Sequence, residues 1–196
     1  MSKPKKIAII TGQLVVGGAE KQLYLWLEHM DRERFTPILI TLHPNHGDYW
    51  EKPIEDLGIR LYDIPQKWNR ITRLQDIHRI LKEFKPELIH GWQLFSGAYA
   101  TIAAKRLGKK SLCGVRDTYK TFVRATYLSK FVKRFVDGFL VNSDSAAADL
   151  NSQLKGKKKS IFVVPNAILP IDTQRELIRE SLSKIYNLPT DLLWMV

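Results

Sequence analysis

The ten residues Thr11-Gly12-Gln13-Leu14-Val15-Val16-Gly17-Gly18-Ala19-Glu20 are suited to holding an anion. They follow an apolar run at 7–10 and open an amphipathic stretch at 21–30. A buried strand that ends in a glycine-bearing loop and restarts as a helix leaves the first helical N–H groups free. The helix dipole adds positive potential at the same place. Glycine lets the backbone approach a ligand without a Cβ in the way. Two familiar phosphate patterns fail here. Gly12 and Gly17 have Walker spacing, but Gly18-Ala19 stand where a lysine and a hydroxyl are required. A dinucleotide fingerprint needs a second glycine two places after Gly12, and none is there. Gly17 and Gly18 therefore read either as a phosphate contact of another type or as residues that only shape a loop.

A second group of residues is basic. Lys105, Arg106, Lys109, Lys110, Arg116, Lys120, Arg124, Lys130, Lys133 and Arg134 follow one another with only Asp117 opposing them. Between 120 and 135, Phe122, Leu128, Phe131, Val132 and Phe135 interleave with Lys120, Arg124, Lys130, Lys133 and Arg134. Such a segment can lie on an anionic membrane surface, or cover a sheet with its basic face in water. His43 and His46 lie at i, i+3 with Asp48 close by, but a polar loop without cysteine reads as solvated. No metal and no cofactor is expected.

The elements that must position these residues are legible as apolar runs at 7–11, 37–42, 61–64, 88–90, 111–115, 139–142 and 161–164. They are short and nearly continuous, as strands buried on both faces of a parallel sheet are. Helical spacing fills most of the intervals, at 18–30, 72–84, 96–107 and 143–154. The small residues of 96–107 predict close packing on the sheet, and Ser143 predicts a hydroxyl cap. Strand and helix in alternation give an α/β fold with a doubly wound, mainly parallel sheet. Ligands of such sheets bind beyond the carboxyl ends of the strands. Pro165-Asn166 and Pro170 read as a linker, Thr173 with Glu176 as a capping box, and 192–196 as a strand opening a second domain.

Length and composition bound the rest. The chain has 196 residues, enough for one good domain and marginal for two. Its net charge of +11 invites an anionic partner. No apolar run approaches the roughly 20 residues of a membrane span, and residues 1–6 lack a signal-peptide core. The single Cys113 excludes a disulfide framework. These features point to the cytoplasm.

Several segments then match one family in order. Lys6-Ile7-Ala8-Ile9-Ile10 with Gly17-Gly18-Ala19-Glu20 resembles the start of the retaining GT-B glycosyltransferases called group 1 or family 4. Leu88-Ile89-His90-Gly91-Trp92 and the small-residue helix after it are similar to that family's fourth strand and following helix. Phe139-Leu140-Val141-Asn142-Ser143 resembles its sixth strand. Val163-Val164-Pro165-Asn166-Ala167-Ile168 resembles its V-x-P-N-G-[IV] segment, with Ala167 in place of the usual glycine.

The resemblance implies two Rossmann-like domains across a cleft, with residues 1–168 as the N-terminal acceptor-side domain. Residues 169–196 would be the hinge and the start of a C-terminal donor domain, whose E-x₇-E element lies outside this sequence. It implies transfer of a sugar from a nucleotide-sugar to a glycan or lipid-linked acceptor with retention, at the inner face of the membrane. Gly17 and Gly18 would approach the donor diphosphate. His90 and Trp92 would face the acceptor, or be core. Arg116 stands where many members place a histidine, so a fixed cation for phosphate or carboxylate replaces a carried-over base. Asp117 would pair with Arg116 or accept from an acceptor hydroxyl; an ordinary surface ion pair is the plain reading of both. Glu20 and Lys21 read as helix-surface residues. Two other classes stay open: a basic module that binds polyanions or nucleic acid, for which no recognition signature is present, and a stand-alone nucleotide-binding fold.

Overall fold

The computed structural model describes residues 3–44, 47–64, 69–116, 126–154, 156, 158–169, 175–187 and 189. Asp117, Lys120, Arg124, His46, the Thr173 cap and the run at 192–196 lie outside the described residues.

Seven apolar segments form one parallel sheet: β1 (Lys5–Thr11), β2 (Phe35–Thr41), β3 (Arg60–Asp63), β4 (Leu88–Gly91), β5 (Lys110–Val115), β6 (Gly138–Val141) and β7 (Ser160–Val163). Their order is β3-β2-β1-β4-β5-β6-β7, so the winding direction reverses between β1 and β4. Register there pairs Ile9 with His90 and Ile10 with Gly91. The helices are α1 (Gly18–Glu28), α2 (Glu51–Asp56), α3 (Arg70–Phe84), α4 (Leu94–Leu107), α5 (Thr126–Phe135), α6 (Asp144–Gln153) and α7 (Arg175–Tyr186).

Alternation along the strands divides the core into layers. Ala8, Ile10, Ile38, Ile40 and Ile89 face α3 and α4, where they meet Ile77, Leu81, Tyr99 and Ala100. Ile7, Ile9 and Leu39 face the other way and pack with Leu23 and Leu27 of α1, Ile54 of α2, and Trp92. A third cluster joins β5 and β6 to α5 and α6 through Cys113, Phe139, Val132, Val136 and Leu150.

The small residues of α4 let it lie directly on β4 and β5. A Cβ on Gly91 would overlap the backbone of Gly97, and one on Gly97 would overlap the Cys113 sulfur. Burial pushes the Cys113 thiol up to about 12, which keeps it protonated and inert. Ser143 caps α6 as its position predicts, with its hydroxyl accepting from the Ala146 N–H at 3.2 Å. Unforeseen in the sequence was α2, a short helix with Pro53 inside it. No described helix is long and apolar enough to cross a membrane.

Candidate functional site

The reversal of winding between β1 and β4 opens a crevice at the carboxyl edge of the sheet, the place where doubly wound folds bind ligands. The loop after β1 leads into α1 on one side of it. Gly17 is the N-cap of α1 in extended conformation and makes no side-chain cap.

The paired glycines have different reasons to be glycine. A Cβ on Gly17 would collide with the Glu20 carboxylate. Glu20, expected on the helix surface, is 8% exposed and folds back over the start of its own helix. There it suits the helix dipole and accepts from Gln93 Nε2 at 3.2 Å. Gly18 has nothing within 4 Å of the position a Cβ would take. Its surroundings are open to an approaching group, and neither packing nor a positive φ accounts for it.

Arg116 follows β5 and stands over the Trp92 ring, its guanidinium carbon 3.7 Å from the ring centroid. Its Nη1 reaches Asn166 Oδ1 at 3.5 Å, and its buried Nε has no hydrogen-bond partner. Burial pushes Arg116 down to about 10, so it remains a cation at neutral pH. Held over a ring and incompletely bonded, it is a fixed positive charge with spare donor capacity.

Beneath it, His90 and Trp92 are each 1% exposed. Trp92 donates to the Ala19 carbonyl at 2.8 Å, which ties β4 to the first turn of α1. The His90 ring stands edge-on to Trp26 at 5.9 Å and lies 5.4 Å from Trp92. Desolvation, then the charge of Arg116, push His90 down to about 3. It is neutral at pH 7 and its Nε2 has no hydrogen-bond partner. Sequence reasoning put both rings at the ligand edge and left open whether they face an acceptor or belong to the core. In the structure they form the packed floor that carries Arg116, because β4 ends one residue beyond His90 and α1 covers that face of the sheet.

A connection that sequence reasoning missed closes the crevice on its far side. Gln22 of α1 donates to the Ala167 carbonyl at 2.8 Å and accepts from the Ala167 N–H at 2.7 Å. This two-point clamp holds the strap after β7 beside Arg116. Asn166 was legible as part of a motif; Gln22 and Gln93 carry no signal, because their partners lie far away in sequence.

The basic segment divides. Lys130 and Arg134 are exposed on α5, one turn apart, and Tyr127 beside them is 88% exposed. Lys133 instead donates to Gln153 of α6 at 3.3 Å. Among the described residues no cluster of three His, Cys, Asp or Glu side chains could hold a metal ion.

The chain's resemblances agree with this geometry. The family model described as Glycosyltransferase Family 4 matches residues 16–172. No match was found among curated protein sequences. The solved structure of HepE from Anabaena in complex with UDP is similar, with a TM-score of 0.71 and 14% identity over 91% of this chain and 50% of HepE. The apo lipopolysaccharide outer core galactosyltransferase WaaB gives 0.61 and 17% identity, over 83% of this chain and 46% of WaaB. MnaA from S. aureus, solved with UDP, gives 0.60 and 18% identity, over 96% of this chain and 61% of MnaA. At these identities the structures establish a shared fold, and the chain spans about half the length of HepE and WaaB.

Proposed function

The chain belongs to Glycosyltransferase Family 4, and on that premise we propose that it forms the acceptor-side half of a site that moves a sugar from a nucleotide-sugar to a hydroxyl. The observation that carries this reading is the open space over Gly18, at the positive end of α1 and in the crevice that Arg116 borders. A diphosphate placed there meets free N–H groups without a Cβ in the way. Glu20 keeps it off the Gly17 side by like charge.

In the transfer, the bond from the anomeric carbon to the leaving phosphate oxygen breaks while the acceptor oxygen bonds to the same carbon. The acceptor proton passes to the departing phosphate, so configuration is retained. The chain's part is positioning and charge: α1 and Arg116 offset negative charge that grows on the phosphate. His90, neutral and enclosed, is not the proton acceptor in this reading, which its burial supports. In this reading Asp117, which follows Arg116 in the sequence, would accept from the acceptor hydroxyl. The acceptor is a glycan or a lipid-linked glycan, with Lys130 and Arg134 toward an anionic bilayer.

Titration of the 196-residue chain with UDP, followed by amide NMR, tests the donor reading. The Gly18 amide should shift saturably, and Arg116→Gln should weaken the response by about tenfold. Saturable shifts that bypass Gly18, or an unchanged affinity in Arg116→Gln, would overturn it.

A further inference from the structure

On the opposite face of the sheet, Arg73 of α3 is 4% exposed. Its Nη1 donates to the Tyr99 hydroxyl at 3.2 Å, and its guanidinium stands 5.7 Å from the Tyr99 ring centroid. Its Nε is buried without a hydrogen-bond partner, and it pairs with no carboxylate among the described residues. Buried cations are ordinarily paired, because desolvation costs several kcal/mol that one neutral hydrogen bond does not return. An aromatic row leads from Arg73 to the end of β2. Tyr99 meets Phe95 at 5.3 Å, and Phe95 stacks on His43 at 5.4 Å. Burial, then the charge of Arg73, hold the His43 imidazole below its ordinary range. Phe95 and Tyr99 also wall a groove of about 410 Å³ between α3, α4 and α5, with Arg70 at its rim.

We propose that Arg73, with Tyr99 and His43, is the anchor for an oxyanion, a carboxylate or a phosphate, carried by the acceptor. This rests on the reading of the chain as an acceptor-side half. A guanidinium fork with its Nε free takes such a group through two parallel hydrogen bonds. The Tyr99 hydroxyl and a protonated His43 supply further donors. The apolar groove beside the row takes the part of the acceptor that follows the charged group.

The test is NMR titration of the 196-residue chain at constant ionic strength, following the His43 ring, with glycerol 1-phosphate, methyl glucuronide and neutral methyl glucoside. At least one of the two anions should bind saturably and raise the His43 pKa, since a negative charge stabilises the imidazolium and offsets the repulsion from Arg73. The tighter anion identifies the group. Arg73→Gln should weaken binding by about tenfold or more. If Arg73→Gln does not fold, Arg73→Lys keeps the charge but loses the fork, and should still weaken binding. Equal response to methyl glucoside, no saturation by either anion, or unchanged affinity in the Arg73 variants would overturn the proposal. UDP shifts at Gly18 that persist through such a failure would leave the donor reading intact, and their loss with anion binding retained would sink that reading alone.

Discussion

Glycines meet at two places on this sheet, one where α4 lies on β4 and β5 and one where α1 begins. Gly91, Gly97 and Gly114 of the first group are pressed against neighbours; a Cβ on Gly114 would overlap the Trp92 carbonyl oxygen. At the second, Gly17 yields room only to a flexible carboxylate, and Gly18 faces open space. The same residue type thus marks close packing at one place and open backbone at the other. Glycine alone does not distinguish a joint from a site; what surrounds it does.

The contrast is easiest to break where a rigid backbone is the obstacle. Gly114→Ala should destabilise the chain by about 3 kcal/mol, lowering the melting temperature by roughly 6–12 °C. A near-wild-type denaturation midpoint would mean that the backbone at Trp92 can shift away from β5. His90, immediately before Gly91, extends the contrast to protons. Its pKa falls from an ordinary value near 6.5 to about 3 in the folded chain, so the unfolded chain binds more protons between those values. Stability should therefore fall as pH drops through that window, by about 2 kcal/mol at pH 5 from this group. Urea titrations of wild type and His90→Leu should differ in that slope, and parallel pH profiles would show that water reaches the ring. The smallest effects belong to the α1 pair. Gly17→Ala should cost about 1 kcal/mol as Glu20 is displaced from Gln93. Gly18→Ala should change stability by less than about 0.5 kcal/mol, because alanine suits a helix better, while weakening UDP binding.

The strands were legible because burial on both faces leaves nearly unbroken apolar runs; β2 and β5 are 7 and 6 residues of such sequence. The close seat of α4 was legible in its small residues, and the α6 cap in Ser143. The candidate site was legible only where its residues stand at strand ends or in a glycine turn, as Arg116 and Gly18 do. Arg73 was hidden because a helical arginine usually points to water, and only the ring of Tyr99 beneath it reveals that this one does not. His90 and Trp92 were left between the acceptor face and the core, because position along a strand sets the edge but not what covers it. Glu20 read as a surface residue because nothing local shows that Gln93 lies above it.

The clamp between Gln22 and Ala167 joins residues 145 apart in the chain. Contacts of such span wait on everything between them, since the intervening loop must first be shortened by the formation of the sheet. The clamp can close only after β1, β4, β5, β6 and β7 have aligned. Protection of the Ala167 amide from solvent exchange is accordingly a clock for the end of folding, and its timing reports when the crevice acquires its far wall.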